Sequence, residues 1–151
     1  MILFRADGNS EIGSGHIMRC LSLADAFRSI GKESVFVCSD DTMLEIIKRR
    51  GYLCHVLNSD YQNPEGETEA LLGCDYYNQA QGIVVDSYFV NHKYMDSIRI
   101  NKKTVYFDDL FRSFNADGVI NYNIYADSAE YKTTRSDTKF FLGPGYAPLR
   151  S

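Results

Sequence analysis

The sequence predicts an α/β fold, a doubly wound and mostly parallel sheet flanked by helices. Three observations carry that prediction. Short apolar runs alternate with stretches whose apolar residues recur at helical spacing. The connections between them are a few residues long, the pattern of βαβ units with crossovers over a parallel sheet. One run, GIVVDSY (82–88), is apolar on both faces, as a central parallel strand must be.

In chain order, ILFRAD (2–7) is the first strand. A helix from His16 to about Ile30 follows, its stripe made by Ile17, Cys20, Leu21, Ala24 and Phe27, and Gly31 closes it. ESVFVCS (33–39) is the second strand, TMLEIIKRR (42–50) a helix ended by Gly51, and YLCHVL (52–57) the third strand. The polar segment NSDYQNPEG leads into a helix from Glu67 to about Gln79. After the central strand come a helix over 91–101 and strands over 103–109, 118–123 and 139–143. The first domain is expected over 1–143. Residues 144–151, with their prolines and glycine, read as the start of a linker to a further domain that this sequence lacks.

Composition narrows the function classes. With 151 residues, 44% hydrophobic and 24% charged, the chain has the size and content of one globular domain. A net charge of -4 gives no basic footprint for nucleic acid, and no apolar run approaches the roughly 20 residues that span a bilayer, so stable membrane insertion is not expected. The N-terminal run meets Arg5 and Asp7 too early for an export signal, so the expected location is cytoplasmic. Cys20, Cys38, Cys54 and Cys74 form no close pair and read as reduced thiols. Without paired Cys or His ligands, no metal site and no cofactor are expected.

The candidate site follows from the fold, because ligands of such sheets bind beyond the carboxyl ends of the strands. There the sequence places EIGSGHIMRC (11–20), Asp86 to Tyr88, and the Asp108–Asp109 pair. Gly13, Ser14 and Gly15 precede the first helix, with Arg19 one turn on as a further substrate-binding candidate. The stretch is neither a P-loop, which needs Gly-Lys-Ser/Thr, nor the dinucleotide fingerprint, since Met18 stands where a third glycine belongs. Two readings remain open: a cradle whose free N–H groups and helix dipole attract an anion, or a plain turn capped by Ser14. His16 is expected to open onto solvent beside that turn, where an imidazole can take a proton from water. Arg5 and Asp7 share a strand face and read as an internal ion pair. Asp86, Asp108 and Asp109 are wall candidates, or caps of the following loops. Tyr88 either binds substrate or packs.

The stretch RADGNSEIGSGHIMRCLSLADAF (5–27) resembles the amino-terminal signature of the nucleotide-sugar hydrolases of pseudaminic acid biosynthesis, the UDP-2,4-diacetamido-2,4,6-trideoxy-β-L-altropyranose hydrolase family, with spore-coat polysaccharide proteins as relatives. VVDSY, YFDD, INYNIYA and GPGYAPLR fall in the order that family shows. The resemblance implies the Rossmann-like N-terminal half of a GT-B architecture, whose C-terminal domain would hold most of the uridine nucleotide. It implies a UDP-sugar substrate and metal-independent hydrolysis at the anomeric carbon with inversion. His16 would be the base, with Gly13, Ser14 and Gly15 near the diphosphate and Tyr88 in the active site. Two rival readings stand beside it: a glycosyltransferase in which His16 deprotonates an acceptor hydroxyl, and a non-catalytic module that binds a sugar nucleotide or a partner.

Overall fold

The computed structural model describes residues 1–126, 131–132 and 135–148. Seven strands form one sheet: β1 (Ile2–Ala6), β2 (Ser34–Cys38), β3 (Leu53–Val56), β4 (Gly82–Asp86), β5 (Lys103–Phe107), β6 (Gly118–Asn121) and β7 (Lys139–Leu142). Every neighbouring pair is parallel, in the order β3-β2-β1-β4-β5-β6-β7. The strand order reverses between β1 and β4, which makes their carboxyl ends the topological switch point. β4 lies at the centre of the sheet and all five of its residues are buried, as its two-faced apolar run predicts.

Among the described residues, five α-helices pack on the sheet: α1 (Gly15–Ser29), α2 (Leu44–Arg49), α3 (Pro64–Gly73), α4 (Asp75–Gln79) and α5 (His92–Ile98). Strand alternation sorts the core into two layers. Leu3, Val35, Ile83 and Val85 face one way, against Leu71, Tyr77, Tyr94 and Met95 of α3, α4 and α5. Phe4, Phe36 and Val84 face the other way, against Ile17, Cys20, Leu21 and Ala24 of α1. The same alternation points Arg5 toward α3 and Asp86 toward α1.

The helix expected over 67–79 is two helices. It begins earlier, at Pro64, because Asn63 accepts the Gly66 N–H with its side chain and Pro64 has no N–H to lose. It breaks at Cys74, whose extended backbone (φ -71°, ψ 133°) separates α3 from α4. Gly31 (φ 75°) and Gly51 (φ 83°) close α1 and α2 in the left-handed region. Beyond β7, Pro144–Tyr146 form a single 3₁₀ turn, with the Tyr146 ring 5.5 Å from that of Phe141; residues 149–151 of the expected linker lie outside the described residues. Among the described residues, no α-helix connects β5 to β6 or β6 to β7. The α1 side of that half of the sheet keeps an apolar cavity of about 320 Å³ lined by Leu23, Phe27, Val105, Ile120 and Tyr146, among others. Among the described residues, no helix is long and apolar enough to cross a membrane.

Candidate functional site

The loop from β1 to α1 is built, not slack. Asn9 accepts the N–H groups of Glu11 (2.9 Å) and Ile12 (3.0 Å) with its side chain, and its own N–H reaches the Gly13 carbonyl at 3.2 Å. Gly8 makes this possible, since a Cβ there would meet the Gly13 oxygen at 3.0 Å and Met43 Cγ at 3.1 Å. Gly13 needs its φ of 73°. Gly15 differs: a Cβ would meet nothing within 4 Å, so packing does not demand glycine there. Ser14 takes the N-cap position, but its hydroxyl makes no capping bond, and no acidic residue stands in the first turn. The positive end of α1 therefore keeps its N–H donors uncapped by side chains.

His16 does not open onto solvent as the sequence leads one to expect. It is 5% exposed, because α1 lays its first turn on the carboxyl end of β4. An aromatic ring and a carboxylate stand against it. The Tyr88 ring meets it edge-on at 4.4 Å, and its Nε2 lies 3.8 Å from Asp86 Oδ1.

Arg19 organises the wall behind this pair. Its Nε and Nη2 donate to the two Asp86 oxygens, each at 2.5 Å, while Nη1 lies 2.8 Å from Asp109 Oδ2 and 3.0 Å from the Tyr122 hydroxyl. The guanidinium also covers the Phe107 ring at 4.9 Å. Burial works against its charge, yet the Asp86 bonds more than offset this and push its pKa up. The Tyr88 hydroxyl donates to Asp109 Oδ2 at 3.3 Å; burial and then the Asp109 charge raise its pKa, so it stays a neutral hydroxyl. Asn123 donates to the other Asp109 oxygen at 3.2 Å.

The fold thus gathers His16, Arg19, Asp86, Tyr88 and Asp109 at the switch point, with Gly13, Ser14 and Gly15 exposed at its edge. Asp108 stands apart. It is fully buried and accepts the N–H groups of Leu110 and Arg112, both at 2.9 Å, so it shapes its own loop. Burial raises its pKa despite those bonds. Tyr122 and Asn123 escape the sequence reading, although INYN ends a predicted strand and the strand-end rule applies to it equally.

Arg5 and Asp7 do pair, at 2.6 Å, within a larger buried network. Arg5 also grips both Glu67 oxygens, at 2.6 and 2.7 Å, and the Tyr94 and Ser59 hydroxyls donate to the same carboxylate. Asp7 accepts the Ser39 N–H and hydroxyl, which fixes the end of β1 against β2. Glu67, 62 residues from Arg5, leaves no local signal of this role. Among the described residues, no group of three or more His, Cys, Asp and Glu side chains is arranged to hold a metal ion.

No protein-family model matches the sequence. The chain is 27% identical over 152 residues to an uncharacterized protein of Methanocaldococcus jannaschii, a match that covers 96% of this chain and 30% of the relative. It is 25% identical over 135 residues to the UDP-2,4-diacetamido-2,4,6-trideoxy-β-L-altropyranose hydrolase of Campylobacter jejuni, covering 87% of this chain and 44% of that enzyme. In fold it is similar to the crystal structure of Acinetobacter baumannii MurG, with a TM-score of 0.61 at 11% identity over 81% of this chain and 41% of that one. The chain spans less than half the length of each of these proteins.

Proposed function

We propose that this chain carries the catalytic face of a nucleotide-sugar hydrolase that releases UDP from an amino sugar, with His16 as the general base. The observation that carries the reading is His16 itself. It stands in the first turn of an uncapped helix, at the switch point, between Asp86 and Tyr88. The likeness to the Campylobacter hydrolase supports the substrate class.

Cleavage at the anomeric carbon needs two things: stabilisation of the departing diphosphate and a water made nucleophilic. The N–H groups at the start of α1 meet the first need, and Gly15 lets the diphosphate approach the backbone without a Cβ between. His16 meets the second by accepting the water's proton. Asp86, 3.8 Å from Nε2 and held by Arg19, forms the wall behind the ring. Tyr88 lies against the imidazole and keeps its own proton, through which it hydrogen-bonds to Asp109, so it serves as a cover over the base. Arg19 is committed to Asp86 and Asp109. We assign the remaining nucleotide contacts to a second domain following residues 1–143.

The test is UDP release from the UDP-linked diacetamido sugar with no acceptor present, in a protein that includes the second domain. His16→Asn should lower turnover by about 10²–10⁴-fold, the usual worth of general-base assistance, and leave UDP affinity within twofold. Turnover near wild type would remove His16 from the mechanism. Release that occurs only when an acceptor is added would favour a glycosyltransferase instead.

A further inference from the structure

Four apolar side chains stand in solvent at the carboxyl edge of the sheet, immediately beside the site. Leu110 is 50% exposed, Phe111 38%, Ile124 81% and Tyr125 53%. They occupy two loops, one after β5 and one after β6, and the Phe111 and Tyr125 rings meet at 5.6 Å. The loops are tied together at their bases by the Asn123–Asp109 bond. Asp109 is also the residue that touches Arg19 and Tyr88. The apolar surface therefore begins one residue away from the proposed catalytic cluster.

Phe111 is held there at a cost. Its φ of 55° lies in the left-handed region, which a bulky side chain disfavours. The Asp108 carboxylate maintains the conformation by accepting the N–H before Phe111 and the N–H after it. A glycine or asparagine would adopt this turn with less strain. A strained aromatic, fixed by a buried carboxylate and left partly in water, is the arrangement expected where the ring is used.

We propose that Leu110, Phe111, Ile124 and Tyr125 form a shelf that receives the apolar face of the substrate sugar and sets its specificity. The proposal rests on the nucleotide-sugar reading of the site. The shelf offers aromatic faces and methyl groups. It suits the methyl groups of a 6-deoxy sugar that bears acetamido groups, whose amide N–H and C=O must find their hydrogen bonds away from the shelf. A fully hydroxylated hexose would lose water from its hydroxyls there without replacement bonds.

Phe111→Gly and Phe111→Asn, in the protein with its second domain, separate use from structure, since both residues tolerate the local backbone. For the UDP-linked diacetamido-trideoxy sugar, kcat/KM should fall at least 10-fold in both variants, within the roughly 10–200-fold that apolar pocket contacts discriminate. Inhibition by UDP alone should stay within twofold, and the melting temperature should hold or rise. Unchanged kcat/KM would overturn the shelf. So would an equal loss of UDP affinity, or a fall in melting temperature, which would mark the patch as a seat for another part of the protein. A wild-type protein that releases no UDP from this sugar would instead fail the hydrolase reading, and the shelf's assigned ligand with it.

Discussion

At Arg19 and Asp86, two hydrogen bonds of 2.5 Å join a carboxylate that is 1% exposed to a guanidinium lying over an aromatic ring. Taking both charges out of water costs several kcal/mol each, and their mutual attraction offsets this only while both are present. Removing one partner strands the other. Arg19→Met should therefore destabilise the protein by about 3–5 kcal/mol in chemical denaturation, the range for a broken buried pair. The double variant Arg19→Met, Asp86→Leu should recover a large part of that loss. A single variant within about 0.5 kcal/mol of wild type, the range of ordinary surface substitutions, would show that water reaches Asp86 freely. This pairing explains why residue types alone could not rank the site. A lone arginine one turn after a glycine-rich loop reads as a phosphate contact, whereas its partners, Asp86 and Tyr122, lie 67 and 103 residues away in sequence.

Among the elements, α1 shows the difference between a glycine the fold needs and one it does not. Gly8→Ala pushes a Cβ against a backbone oxygen at 3.0 Å, so stability should fall by about 1–3 kcal/mol, as overpacking does. Gly15→Ala meets open space in the first turn of a helix, where stability should hold or rise by up to about 1 kcal/mol. If the diphosphate approaches that turn, turnover must nonetheless drop; Gly15→Ala with full activity would sever the helix end from the mechanism. The far end of α1 is fastened by Asp25, which pairs with Arg28 and Arg50 and accepts from the Tyr52 hydroxyl. Burial opposes its charge, but Tyr52 and the two arginines prevail and lower its pKa. A depressed folded-state pKa adds stability that is complete above the unfolded value of about 3.9 and fades as pH falls through the folded value. Asp25→Asn should thus melt below wild type at pH 7, and the gap should close as pH drops below about 4. A gap independent of pH would leave only shape, not charge, to account for it. The strands and the long helix were legible because apolar runs and glycine stops are local signals. The break at Cys74 has one local signal, Gly73 at the end of α3, which a continuous helical reading over 67–79 passes over.

For the whole molecule, parallel pairing and the strand-end edge where the site lies follow from alternation, whereas the strand order and the place where it reverses come only from the fold. Nor can alternation supply charge balance. At the site the Arg19 guanidinium faces two carboxylates, Asp86 and Asp109, while on the other face of the sheet Arg5 is likewise held by Asp7 and Glu67. In formal charge the Arg19 cluster is negative, against which the α1 terminus offers about half a positive charge. A diphosphate gains little here by itself. The 151-residue chain alone should therefore fold cooperatively, yet bind UDP with a Kd weaker than about 1 mM, less than roughly 4 kcal/mol of binding, and release no measurable UDP from the sugar nucleotide. Joined to a second domain that supplies cations and a uracil pocket, the same residues should turn over. Calorimetry and an enzymatic UDP assay on both forms decide it: micromolar UDP binding by the shorter chain would mean that this half holds the nucleotide by itself, and the division of labour between two domains would have to be abandoned.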